Sequence, residues 1–401
     1  MKRFKKVALI CIVILCVIFS SSFAKLLGEE KVSIPKSEYE ELLKFKEMFN
    51  IYEVLDKRYY IEPDEKKLIE GSIRGMMSGL DDPYSVYYTP EEFEKYWEED
   101  SGEYAGVGMQ ITSKFDENIC VISRVFQGSP AEEAGIKKGD IFIKAGDIDV
   151  YPNNLQEAVD FIRGKKGTKV KLTMMRGDEE LLFDVERRDV HINQVETKYM
   201  DGDIGLIQLY EFSGESGKEF SKALNQLIDK GAKGIVIDLR DNPGGWVNNA
   251  RDIADLFVEN DTLCYFQYRD GTKEYIKTGK GKMSIPMSII INENSASASE
   301  LFTGAMQDYG LADVVGTVSY GKGIAQEIMD VGDDGAGFQF TVAQYFTPKG
   351  RAVHKKGITP DYIVELGEDI NKEFEFGSLE DPQLKKAYDL VIKKVEKEAN
   401  K

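Results

Sequence analysis

The apolar positions change period along the chain, and the changes divide it. Over 37–60 they fall at Tyr39, Leu42, Phe45, Met48, Phe49, Tyr52 and Leu55. Steps of three and four residues are helical spacing. A second helix is expected over 65–78, and Thr89-Pro90-Glu91-Glu92 reads as a helix start with an N-cap and a first-turn proline. These predict an N-terminal helical domain over 37–97. Its apolar faces form either an internal core, the default reading, or a seam between two copies. From 192 onward strands alternate with helices. Strands are expected over 204–210, 234–240 and 287–292, and helices over 216–229, 247–257 and 299–308, with Ser216 and Glu219 spaced as a capping box. Alternation predicts an α/β domain over 192–364. Residues 263–281 and 324–346 add antiparallel strands. Residues 365–401 end in a Lys/Glu-rich amphipathic helix carrying Leu384, Ala387, Tyr388, Leu390 and Val391.

The N-terminus stands apart. Lys2, Arg3, Lys5 and Lys6 precede an apolar run over 7–19, followed by Ser20-Ser21-Ser22-Phe23-Ala24. That is a charged region, a hydrophobic region and a Ser-x-Ala that permits cutting after Ala24. Kept uncut, residues 7–27 are long enough to span a bilayer, with the positive charges cytoplasmic. Residues 1–24 are therefore read as a signal peptide or a membrane anchor, and the rest of the chain as exported. The 401 residues suit two or three domains, and 42% apolar residues suffice for sizeable cores. A net charge of −18 argues against nucleic-acid binding. Cys11 and Cys16 lie in the targeting segment. Cys120 and Cys264 fall in expected strands of different domains and read as buried free thiols rather than a disulfide. No His/Cys/carboxylate group has metal-ligand spacing, so neither a metal nor a cofactor is expected.

The chain has only two histidines, His191 and His354. His191 reads as a linker residue and His354 as structural or surface. A serine nucleophile would then need another base. In Asn294-Ser295-Ala296-Ser297-Ala298-Ser299-Glu300, Ser297 falls between the strand at 287–291 and the following helix. A helix N-terminus offers unpaired N–H groups and a positive dipole end, which suit an oxyanion. Serines at helix starts are also ordinary caps. The partner candidate is Lys322 in Ser319-Tyr320-Gly321-Lys322-Gly323-Ile324-Ala325-Gln326. Burial disfavours the charged form of lysine, and bringing its pKa to near 7 takes roughly 4–5 kcal/mol of environmental bias. The flanking glycines allow close backbone approach.

These segments resemble the C-terminal processing peptidases, Ser/Lys proteases with a built-in PDZ domain, over 40–365. Gly79-Leu80-Asp81-Asp82-Pro83-Tyr84-Ser85 resembles the family's N-terminal signature. Asp238-Leu239-Arg240-Asp241-Asn242-Pro243-Gly244-Gly245 resembles the strand and glycine turn that help build its oxyanion hole. Lys349-Gly350-Arg351 and Gly357-Ile358-Thr359-Pro360-Asp361 resemble its closing segments. The resemblance implies Ser297 as nucleophile, Lys322 as general base and Gln326 as the residue that orients the lysine. Backbone N–H groups near Ala298 and Gly244 or Gly245 would hold the oxyanion. The implied fold is multi-domain α/β: a crotonase-like protease domain, an inserted or preceding PDZ β-sandwich-like domain and the helical domain.

Residues 98–188 resemble that PDZ domain. Gly106, Val107, Gly108 and Met109 would form the loop and strand edge that take a peptide C-terminus. Ser129-Pro130-Ala131 through Gly135 and Gly139-Asp140-Ile141-Phe142 follow in family order. A second helix over 155–162 flanks the groove, and Arg163 at its end is a candidate regulatory contact. The expected partners are protein or peptide substrates bound by their C-termini. A second copy is also expected, met through the helical domain and the C-terminal helix. A chymotrypsin-like protease is disfavoured by the lack of Gly-Asp-Ser-Gly. A PDZ scaffold on an inactive protease domain is disfavoured because Ser297, Lys322 and Gln326 are all present.

Overall fold

The computed structural model describes residues 33–101, 103–281, 283–367 and 374–400. The expected targeting segment at 1–24, with Cys11 and Cys16, lies outside the described residues. Among the described residues no helix is long and apolar enough to cross a membrane. The chain divides into two compact units at Ser72 and Ile73.

In the first unit the helical period of 37–60 produces two helices, Lys36–Leu43 and Lys46–Arg58. They part at Lys44, whose N–H turns back to the Glu41 carbonyl. A third helix, Glu65–Ser78, crosses the division. No residue of these helices is buried, and Tyr39, Leu42, Phe45, Met48 and Phe49 are exposed. Contrary to the default reading, the apolar face forms no core among the described residues of this unit.

The second unit opens with β1 (Val86–Tyr88) and the helix Pro90–Ser101. A small β domain follows, made of β2 (Glu103–Gly106), β3 (Met109–Lys114), β4 (Ile119–Val125), β5 (Ile141–Ala145), β6 (Ile148–Asp149), β7 (Lys169–Arg176), β8 (Glu179–Glu186) and β9 (Arg188–His191). The sheet order is β3-β4-β5-β7-β8, with β6 on β5, while β2 pairs with β9. Strand periodicity sends Val170 and Leu172 inward and Lys169 and Lys171 outward. The core closes around Ile122, Phe142, Leu172 and Met174. Ser129 caps the short helix Pro130–Ala134, which stops at left-handed Gly135. The second helix, Leu155–Ile162, ends where Arg187 donates to the carbonyls of Phe161 and Ile162.

The remaining strands are β10 (Val195–Met200), β11 (Ile204–Leu209), β12 (Gly234–Asp238), β13 (Thr262–Tyr268), β14 (Lys273–Lys277), β15 (Met287–Ile291), β16 (Ala312–Gly316), β17 (Ile324–Val331), β18 (Ala336–Phe346) and β19 (Tyr362–Ile363). The main sheet runs β10-β11-β12-β15-β16-β19, parallel from β11 onward. Both of its faces are covered, so β12 and β15 are continuously buried. Ile235, Ile237 and Ile289 meet the helices Ser216–Asp229, Val247–Ala254 and Ala298–Asp308 on one face. Val236 and Ile290 meet Leu384, Ala387 and Val391 of the helix Pro382–Ala399 on the other. The C-terminal helix thus packs on its own sheet and not across a partner, because its apolar stripe covers an otherwise bare sheet face. The Ser216/Glu219 capping box does not form. The N-cap is Glu215, and the Glu219 carboxylate turns instead to the Gln194 N–H (2.7 Å) and to His191 Nε2 (2.6 Å). A second sheet, β1-β18-β13-β14 with β17 on β18, stands beside the main one.

Candidate active site

Ser297 sits where β15 gives way to the helix Ala298–Asp308, as the residue before its first turn. Its backbone is at φ 53°, a left-handed conformation rare for a side chain with Cβ, and such strain gathers at functional sites. Three contacts hold it there. The Ser297 N–H donates to Glu300 Oε2 (2.9 Å), and its carbonyl accepts from the Tyr345 hydroxyl (2.9 Å) and the Leu301 N–H (2.9 Å). The neighbouring serines are built in differently. Ser295 Oγ donates to the Leu239 carbonyl (2.7 Å) and Ser299 Oγ to the Asn242 carbonyl (3.0 Å), both fully buried. Of the three, only Ser297 lines the adjoining cleft of about 440 Å³.

Lys322, Gln326, Ala298, Gly245, Trp246, Leu301 and Tyr345 line the same cleft. The lysine loop is tied to the serine turn by Glu300, which is almost wholly buried. Besides Ser297, its carboxylate accepts from Ser319 Oγ (2.5 Å), the Gly321 N–H (2.6 Å) and the Lys322 N–H (2.8 Å). Burial pushes the Glu300 carboxyl above its ordinary range, against these donors, which favour the carboxylate. Burial likewise pulls the Lys322 ammonium below the usual lysine range, and the charges of Asp82 and Glu300 oppose it. The Lys322 Nζ lies 4.5 Å from the centroid of the Tyr84 ring.

The glycine turn closes the opposite wall. Gly244 and Gly245 have φ of 106° and 125°. The Gly244 N–H already donates to Asn242 Oδ1 (2.9 Å). Those of Gly245 and Ala298 have no hydrogen-bond acceptor among the described residues. Trp246, next in the turn, stacks on Trp97 of the helix Pro90–Ser101, with centroids 6.2 Å apart and planes at 6°.

The peptide-loop residues lie in the small β domain. Gly106 ends β2, Val107 is buried, Gly108 has φ 86°, and Met109 begins β3, an edge strand of its sheet. The Gly108 carbonyl accepts from Ser129 Oγ (3.0 Å) and the Phe126 N–H (3.1 Å), which fixes the loop. Arg163 is the C-cap of the helix Leu155–Ile162 and is not among the residues lining the cleft. Arg124 of β4 crosses to the catalytic domain, its guanidinium 3.5 Å from the Tyr210 ring centroid.

Sequence reasoning missed Asp82, Tyr84 and Glu300 as parts of this site. Asp82 and Tyr84 lie in the Gly79-to-Ser85 motif, whose spacing points to no role for either, and Glu300 reads in the sequence only as part of a helix start.

Residues 203–364 match Peptidase family S41, 121–176 match PDZ domain, and 21–92 match Activating protease CtpB N-terminal domain. The carboxy-terminal processing protease CtpA of Bacillus subtilis (strain 168) is 36% identical over 352 residues, 87% of this chain and 74% of that protein. A probable CtpA-like serine protease of Staphylococcus aureus (strain COL) is 34% identical over 370 residues, 91% of this chain and 73% of its own. Among solved structures, the photosystem II D1 C-terminal processing protease superposes with a TM-score of 0.50 at 24% identity, over 80% of this chain and 89% of that one. A putative S41 protease from Bacteroides fragilis NCTC 9343 superposes with a TM-score of 0.57 at 16% identity, over 83% and 92%. The two structures support the fold, and the relatives carry the kinship. An N-terminal helical part, a PDZ domain and a protease domain in this order make the chain a member of peptidase family S41, a serine-type C-terminal processing peptidase.

Proposed function

We propose that Ser297 and Lys322 form the catalytic dyad of an exported endopeptidase. The observation that carries this reading is the Glu300 carboxylate, which grips the backbone of both residues and keeps them on one cleft. Neutral Lys322 Nζ takes the proton of Ser297 Oγ as Oγ bonds to the substrate carbonyl carbon. The ammonium returns that proton to the leaving amine as the C–N bond breaks, which leaves an acyl-enzyme. Water then attacks, its proton passing to Lys322 and on to Ser297 Oγ. The Gly245 and Ala298 N–H groups hold the oxyanion. Gly244 is the weaker candidate, since its N–H is already taken by Asn242.

Gln326 orients the lysine. Gly106, Val107, Gly108 and Met109 receive substrate C-termini, supported by the edge position of β3. Residues 1–24 direct export or anchor the chain to the membrane. The exposed apolar helices of residues 36–58 support pairing with a second copy.

The test is peptide hydrolysis with Ser297→Ala, Lys322→Ala and Lys322→Arg. All three are expected to lose activity while keeping the wild-type circular dichroism spectrum, because arginine stays protonated. The wild-type rate should rise with pH through an apparent pKa below the usual lysine value, since only the neutral amine accepts a proton. An active Lys322→Arg variant would end the dyad reading.

A further inference from the structure

The Asp82–Ser85 loop is joined to the site by hydrogen bonds that the dyad alone leaves unexplained. Ser85 Oγ donates to Asp82 Oδ2 (2.7 Å) and accepts from the Thr341 N–H (3.2 Å). The Tyr84 N–H donates to Asp82 Oδ1 (3.0 Å), and the Tyr84 carbonyl accepts from Gln339 Nε2 (3.0 Å). Beyond this link, Gln326 Nε2 donates to Thr341 Oγ1 (3.2 Å). Above this network the Lys322 Nζ rests on the Tyr84 ring, and the Tyr84 hydroxyl meets that of Tyr320 at 3.3 Å.

The direction of these bonds follows from one chemical fact. An ionised carboxylate only accepts. Ser85 must therefore give its single proton to Asp82, and its oxygen is left to accept from the Thr341 N–H, the residue on which Gln326 rests. The Gln326 amide then has its NH2 toward Thr341, and its carbonyl oxygen remains for the cleft, where an acceptor can hold an amine or ammonium in place.

We infer that Asp82 is a positioning residue for the base: its carboxylate fixes Tyr84 beneath Lys322 and, through Ser85, the Thr341 segment on which Gln326 rests, and it supplies counter-charge to the ammonium that Lys322 becomes. The inference rests on the reading of Lys322 as general base. Burial works against the Asp82 charge. The hydrogen bonds of Ser85 and the Tyr84 N–H, with Thr341 and Lys322 nearby, outweigh it and keep the carboxyl below its ordinary range. The groups that face Lys322 are thus Asp82 and Glu300 as charges, with Tyr84 and Tyr320 as phenols. The Tyr84 hydroxyl is pushed up to about 12 by burial and by Tyr320, so it stays neutral through the working range. Asp82 and Glu300 therefore supply the negative charge, and Glu300 is already engaged by three backbone N–H groups and the Ser319 hydroxyl.

The test is the rate at which a fluorophosphonate labels Ser297 in the full chain from pH 5 to 10, which needs no PDZ ligand. Asp82→Asn removes a negative charge, so Lys322 should lose its proton more easily. The acid limb should move down by about one pH unit. The plateau should fall about tenfold, as the Gln326 amide loses its enforced orientation. Thr341→Val keeps the charge and breaks the chain, so its plateau should fall with the limb in place. Thermal melting checks folding. If Asp82→Asn does not fold, Asp82→Ser takes its place, since it removes the same charge and should move the limb in the same direction. A wild-type limb that stays put in Asp82→Asn, or a Thr341→Val plateau equal to wild type, overturns the inference and leaves the dyad standing. A wild-type profile with no limb overturns the reading of Lys322 as base, and the inference with it.

Discussion

Ser297 carries strain that its neighbours enforce, and Gly244 shows how little room they leave. A Cβ on Gly244 would stand 2.7 Å from the Ser297 Cβ and 2.8 Å from the Ala298 N. Gly244→Ala should therefore displace the serine turn, with at least a hundredfold loss of peptide hydrolysis, on the order expected for a misplacement of about 1 Å. Hydrolysis with unchanged kcat would show that the turn has slack. Ser299→Ala should behave oppositely. Its hydroxyl serves only the Asn242 carbonyl, so the variant should lose about 1 kcal/mol in thermal or denaturant unfolding and still be labelled at Ser297. Ser297 and Lys322, the proposed dyad, were legible in the sequence because their signals are local: a serine between a strand and a helix, and a lysine between glycines. Glu300, Asp82 and Tyr84 were not, because their roles arise from contacts between segments far apart in sequence. The pairing of β1 with β18 brings residues 84–85 to 339–341, and no spacing within either segment announces it.

At the level of elements, period alone separated helices from strands, and it did so well in the buried main sheet. It failed where a helix had a choice of surface. The helix Pro382–Ala399 and the helices of residues 36–58 both carry apolar stripes, and a stripe does not name its partner. The first covers Met200, Leu206, Val236, Ile290 and Val315 of its own sheet, while the second pair covers nothing buried. The C-terminal helix is further pinned by Asp381, which caps it and pairs with Arg240 (2.7 Å), itself paired with Asp238 (2.6 Å). Removing residues 381–401 should expose that sheet face and leave Arg240 without one of its carboxylates. The expected result is a protein that binds a hydrophobic dye and melts well below the full chain. A truncated chain with an unchanged melting temperature would mean that the helix contributes nothing to the fold.

For the whole molecule, the order of domains was legible and the coupling between them was not. The PDZ and protease domains meet through side chains of ordinary appearance, Arg124 on Tyr210 and Asn193 on the Gln127 carbonyl (3.3 Å), which no motif marks. If the PDZ loop captures substrate C-termini, a C-terminally amidated peptide should be cleaved more slowly than its free acid, because the backbone nest loses its charged ligand. Arg163→Ala should narrow that difference if the arginine relays occupancy. Equal cleavage of both peptides by the wild type would make the PDZ domain a passive appendage. The chain also carries its own means of watching such coupling. Trp97 and Trp246 are its two tryptophans, and they are stacked on each other. One belongs to the helix that immediately precedes the PDZ strands, the other to the glycine turn beside Ser297. All tryptophan emission therefore comes from a single contact, between the helix that leads into the PDZ strands and the glycine turn of the protease domain. Docking of a peptide that shifts this helix becomes an optical event, readable without a label and before any bond is cut.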